Sequence, residues 1–177
     1  MKIHNIKVSY YFSDDLVKRQ KSNSKVIEKY SSGICTTIYK HTPNLINCTG
    51  IKHREQIDEI KCLLENKFQA KCANYRIDNT FIQEKYGTRL NLMKVFQIVA
   101  SHYHYLYTPS YDPEIFSGLC MKSKDKTYPT INVFSTGTVQ YLAGKSFRCI
   151  QQSRDIIRQI ISVCKQKDGL LPQRAQA

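Results

Sequence analysis

The chain runs through one order of elements twice, and a sequence that repeats itself this way must build two similar units from similar parts. Each unit opens on a short strand-like segment that carries an asparagine, "IHNIKV" at the start and "YRIDNTF" after the first long helix. Each closes on a strand followed by a helix: "LINCTGIK" then "HREQIDEIKCLLENKF", and "TVQYLAGKS" then "FRCIQQSRDIIRQIISVC". The spacing puts Ile57, Ile60, Leu64 and Phe68 on one face of the first helix, and Ile150, Ile157, Ile160, Ile161 and Cys164 on one face of the second. The repeat therefore runs from Asn5 to about Phe68 and again from Asn79 to about Cys164.

The copies are unequal. "RLNLMKVFQIVAS" supplies the second unit with a further helix, apolar along Leu92, Val95, Phe96 and Val99. At the matching place the first unit has only "SDDLVKRQKSN", a short or poorly formed helix that Asp14 and Asp15 would cap. "SSG" at 31–33, "TPN" at 42–44 and "STG" at 135–137 read as hairpin turns. Strand, helix, antiparallel strands and helix, taken twice, imply an α+β fold. Two pseudo-symmetric repeats would form one curved antiparallel sheet, a saddle, with helices on its convex face. Its other face is open, and alternation along each strand makes the residues on it readable. The expected organisation is a shortened N-terminal repeat at 1–72, a C-terminal repeat at 73–164, and a flexible basic tail at 165–177.

Charge narrows the partner. Lys and Arg outnumber Asp and Glu 27 to 14, a formal +13 spread along the chain, which suits a polyanion. No charged-then-apolar leader and no apolar run approaching the ~20 residues that span a bilayer is present, so an intracellular protein without a membrane partner is expected. The seven cysteines are scattered and never spaced C-x-x-C, so they read as reduced thiols, mostly small core residues. His102 and His104 could be half a metal site, but no second ligand pair matches their spacing, and no metal or cofactor is expected. No Gly-rich phosphate loop or recognisable catalytic set is present, since "GTVQYLAGKS" lacks the required spacing; a non-enzyme is expected.

In the second unit "YDPEIFSGL", "NVFSTGT" and "LAGK" follow one another in that order. This resembles the C-terminal repeat of the TATA-box-binding protein family, whose pattern runs Y-E-P-E-L-F-P-G-L, a hairpin, I-F-x-S-G-K, then a strand ending T-G-A-K. "YRIDN" is similar to the opening F-K-I-Q-N, and "HNI" and "NCTGIK" match the first repeat more weakly. The resemblance covers nearly all of residues 3–164, strongly over 111–145 and poorly over 8–40.

The resemblance implies site residues. Phe116 and Phe134 fall on the two wedge positions where phenylalanines of this family insert between base steps, although a Phe beside a turn, judged by position alone, reads as a core ring. Asn5 and Asn79 match asparagines that hydrogen-bond base acceptors in the minor groove, where A·T pairs present only acceptors. Lys7, Tyr39, His41, Asn47, Thr49, Phe81, Asn132, Gln140 and Leu142 would line the groove face as well; Asn47 and Phe81 stand where the family has valine, which puts the sequence preference in doubt. Lys52, Lys122 and Lys145 match phosphate-contacting positions, and Asp112, Glu114 and Ile115 match the stirrup that meets transcription factor IIB (TFIIB). In the first half the second wedge aligns with His41 and the first has no counterpart, so an asymmetric distortion of the DNA is expected.

The implied function is a divergent initiation factor, monomeric on DNA, that binds and bends double-stranded AT-rich promoter DNA and recruits a TFIIB-like factor and RNA polymerase. It would act in the nucleus, or at a cytoplasmic replication site if the source is a large DNA virus. The alternatives are a protein-interaction module that keeps the fold without specific DNA binding, and a substrate-binding appendage of a nucleic-acid enzyme.

Overall fold

In the computed structural model residues 2–13, 16, 26–30, 33–39 and 41–165 are described. The elements are β1 (Lys2–Phe12), β2 (Val26–Lys29), β3 (Cys35–Tyr39), β4 (Thr42–Ile51), α1 (Gln56–Phe68), β5 (Cys72–Lys85), α2 (Leu92–His102), β6 (Tyr107–Ser110), β7 (Leu119–Ser123), β8 (Thr130–Val133), β9 (Thr138–Gly144) and α3 (Phe147–Lys165). The nine strands form a single antiparallel sheet in the order β2-β3-β4-β1-β5-β9-β8-β7-β6. Each repeat's last strand, β4 or β9, thus returns beside its first, β1 or β5. The weak helix expected at 13–23 with its Asp14/Asp15 cap lies outside the described residues apart from Ser13 and Leu16, and so does the tail beyond Lys165.

The chain divides into two compact units, Met1–Ile82 and Gln83–Ala177. In the first, Ile6, Val8, Tyr10 and Phe12 alternate onto one face of β1 and are essentially fully buried, as are Ile46 and Cys48 of β4. α1 covers that face with Ile57, Ile60, Leu64 and Phe68, the four positions its periodicity marks. The Tyr10 hydroxyl donates to the Ile57 carbonyl at 2.8 Å, and the Phe12 and Phe68 rings meet edge on. Burial pushes the Tyr10 hydroxyl pKa up and the Cys48 thiol up to about 12, so neither ionises near neutrality.

In the second unit Leu119, Met121, Ile131, Val133, Val139 and Tyr141 form the buried row of β7, β8 and β9. Two helices lie on it: α2, whose start is capped by the Asn91 side chain accepting from the Lys94 N–H, and the longer α3. Buried polar pairs tie helix to sheet. The Tyr107 and Ser153 hydroxyls are 2.7 Å apart, and Arg154 of α3 forks onto the Glu84 carboxylate at 2.6–3.1 Å, with both side chains about 10% exposed. Burial raises the Glu84 carboxyl, but the Arg154 guanidinium and the Tyr86 hydroxyl outweigh it and hold it below the usual carboxylate range.

Three sequence expectations need correction. "TPN" is no turn: β4 starts at Thr42, which already pairs with Tyr39 of β3, and the Pro43 carbonyl accepts from Leu16 N–H. Of the seven cysteines only Cys48 and Cys72 are buried, because the others alternate onto open strand faces or lie along helix flanks. Ile98 rather than Phe96 completes the buried side of α2, and Val163 rather than Cys164 that of α3.

Candidate nucleic-acid interface

The strand face that the helices leave uncovered carries the candidate residues. In the second unit the registers Cys120↔Asn132 and Asn132↔Gln140 align three half-buried side chains across β7, β8 and β9, and Thr130↔Leu142 adds the next pair. Gln140 Nε2 reaches Gln83 Oε1 at 3.4 Å, so the row continues onto the end of β5. Alternation from Phe81 marks Gln83, which the sequence reading passed over.

Two residues along the chain from Asn132 stands Phe134, with Phe116 against it. Phe116 follows the turn of "DPEIF", in which Ile115 and Phe116 N–H both donate to the Asp112 carbonyl and Glu114 N–H donates to Asp112 Oδ1. Phe134 closes the β8–β9 hairpin, its N–H donating to the Thr138 carbonyl at 2.9 Å. The rings lie edge to face with centroids 5.6 Å apart, Phe116 still 40% exposed. Gly118 makes room for them: a Cβ there would come within 2.8 Å of the Phe116 ring and 3.0 Å of the Phe134 ring. The hairpin itself depends on Gly137, at φ +77°, where a Cβ would fall 2.1 Å from the Thr88 carbonyl oxygen.

The first unit presents a different face. Tyr39 and His41 flank the β3–β4 turn with ring centroids 5.5 Å apart; Tyr39 is half-buried and His41 exposed. Asn5 Oδ1 accepts from Gly50 N–H at 2.7 Å, which commits the oxygen to the backbone and leaves the amide NH2 as a donor. Thr49 is half-buried opposite Cys35. Ser9, fully buried on the same side, lies 3.0 Å from the Asn47 side-chain amide and 2.5 Å from Asp78 Oδ2. Arg76 Nε binds the other Asp78 oxygen at 2.8 Å, Lys7 Nζ approaches at 3.7 Å, and Arg76 lies 5.8 Å over the Tyr11 ring. Burial raises the Asp78 carboxyl, yet the hydrogen bonds from Ser9 and Arg76 prevail and hold it below its ordinary range.

β5 changes phase at Asn79. Before it, Tyr75 packs against core Tyr10 while Arg76 and Asp78 face the open side; after it, Thr80 and Ile82 are buried and Phe81 stacks 5.2 Å from His4. Such a switch is the mark of a local irregularity in a strand. Asn79 Oδ1 is buried there without a hydrogen-bond partner among the described residues.

The other sequence-predicted positions are at the surface: Lys52, Lys122 and Lys145 are exposed, as are Asp112, Glu114 and Ile115, the last 84% so. Among the described residues no three His, Cys, Asp or Glu side chains could hold a metal ion, and no helix is long and apolar enough to cross a membrane.

A nine-stranded antiparallel sheet made of two unequal repeats, with helices on one face of each and a pair of rings at an end of the other, defines an α+β architecture with a fold partner among solved structures. The TBP of Methanococcus jannaschii superposes with a TM-score of 0.65 over 91% of this chain and 97% of that one, at 20% identity. The family model for transcription factor TFIID, or TATA-binding protein (TBP), matches residues 74–164. The chain belongs to the TATA-binding protein family, a family of non-enzymatic transcription factors. No curated protein sequence matches it.

Proposed function

We propose that the protein is an initiation factor that binds AT-rich promoter duplex in the minor groove with the open strand faces and bends it by inserting Phe116 and Phe134 at a base step. The observation that carries this reading is the ring pair seated over Gly118, with Phe116 exposed and Phe134 half-buried behind it. Two large rings held together at a surface cost least when they can slide into an unstacked step, and flexible TA steps are the easiest to open. The Asn5 amide, fixed by Gly50, offers a donor to the acceptors that A·T pairs present. Asn132, Gln140 and Leu142 line the open face of the second unit, Asn79, Phe81, Tyr39, His41 and Thr49 line that of the first, and Lys52, Lys122 and Lys145 meet phosphates. Asp112, Glu114 and Ile115 present a carboxylate-flanked apolar tip to a TFIIB-like partner that brings RNA polymerase.

The test is binding to a labelled AT-rich duplex and a GC-rich control over a salt series, with end-to-end fluorescence transfer reporting the bend. Tight AT-selective binding and a bend abolished by Phe134→Ala support the proposal. The second reading, a protein-interaction module, is favoured by the Asp78 carboxylate on the first unit's open face, and salt-screened binding without preference or bend, or no binding at all, would shift the reading to it.

A further inference from the structure

Ser9 sits between two groups that cannot both take its proton. Its Oγ lies 2.5 Å from Asp78 Oδ2 and 3.0 Å from the atom placed as Asn47 Oδ1, and a hydroxyl has one hydrogen to give. Asp78, kept ionised by Arg76 and Lys7, can only accept, and a charge-assisted O–H···O⁻ bond is about twice as strong as a neutral one. The Ser9 proton therefore goes to Asp78. A second acceptor facing the Ser9 oxygen would be repelled, so the Asn47 amide turns its NH2 to Ser9; amide oxygen and nitrogen are assigned from their partners in this way. Ile46 and Cys48 point into the core on either side, so Asn47 lies on the open face, and its oxygen is left there as an acceptor. Asn47 makes no other side-chain hydrogen bond among the described residues.

We infer that Asn47 reads the exocyclic amino group of guanine in the minor groove, so that the half-site under the first unit accepts, and prefers, one G·C pair. The inference rests on the proposed minor-groove binding. A·T pairs show only acceptors there and would face the Asn47 oxygen with another acceptor, whereas G·C adds the N2 amino donor. The residue it corresponds to in the family pattern, a valine, could do neither. Two features combine to produce this preference: the asparagine on β4 and the Ser9–Asp78 bond that fixes its orientation. The Asn5 amide, turned the opposite way by Gly50, remains a donor for the acceptors of A·T pairs.

The experiment measures the affinity of the full chain for an A·T duplex in which one pair at a time is changed to G·C, and then to inosine·C, which removes only the minor-groove amino group. At one position guanine should bind roughly fivefold tighter than inosine, the effect of a single net hydrogen bond. Asn47→Val should abolish that difference. Ser9→Ala, which frees the Asn47 amide to rotate, should reduce it without abolishing binding. Equal binding of guanine and inosine duplexes at every position by the unaltered chain would overturn the inference and leave the proposed function standing. Failure to bind any duplex would overturn both.

Discussion

The two units solve the same architectural problem with different chemistry. The second joins helix to sheet through a buried ion pair and places two phenylalanines at the rim of its open face. The first joins them through apolar rings and one tyrosine hydroxyl, and its ion pair on the helix side, Glu28 with Lys67, is a surface one. Its open face has a Tyr39–His41 pair in place of two phenylalanines and a charged cluster around Asp78. A fold built twice thus constrains the buried face in both copies, where packing must close, and leaves the open face free to diverge, because no core depends on it.

The largest effect that would break this contrast concerns the buried pair. Arg154→Ala takes the guanidinium away from the buried Glu84 carboxylate and is expected to cost about 3–5 kcal/mol of stability in urea unfolding. A loss below about 1 kcal/mol would show that the two units are held alike. Next comes the rim: Phe134→Ala should weaken AT-rich duplex binding by about 30-fold and abolish the bend, since one wedge accounts for roughly 2 kcal/mol of step opening and stacking. His41→Ala should change binding by less than about threefold, the scale of a contact that does not intercalate. Equal losses in both variants would overturn the expected asymmetry of the DNA.

A pH titration sharpens the comparison further. Asp78 in the first unit and Glu84 in the second both have carboxyls held below the ordinary range, so each stabilises the fold above the unfolded value near 4 and loses that contribution as the pH falls through its lower folded value. Asp78→Asn and Glu84→Gln should each flatten the acid side of the stability curve, and unchanged slopes would refute the assignment. Smallest is the surface pair: Lys67→Ala should cost less than about 1 kcal/mol, because its ammonium is well exposed and screened by solvent.

Particular residues show what could be read in advance. Ile57, Ile60, Leu64 and Phe68 were legible because a helix of 3.6 residues per turn has one way to bury four apolar side chains at those spacings. The repeated order of elements along the chain was legible from its strand and helix patterns, and the position of Phe116 and Phe134 beside turns through "PEIFSGL" and "VFSTG". Ser9, Arg76 and Asp78 were not. Polar residues on strands carry no pattern of their own, and the phase change at Asn79 defeats the extrapolation of alternation along β5. "TPN" misled because Pro43, although a turn former, takes its place in β4 with its carbonyl engaged by Leu16.

Periodicity and local motif are short-range properties, so the sequence by itself determined the two repeats, the helix faces and the ring positions at the turns. The partners of Ser9, the fork of Arg154 on Glu84, and the fit of both phenylalanines over Gly118 were decided only by the tertiary structure. Each joins groups distant along the chain or fits side chains into a space the local motif does not specify, and such arrangements exist only once the sheet has brought them together.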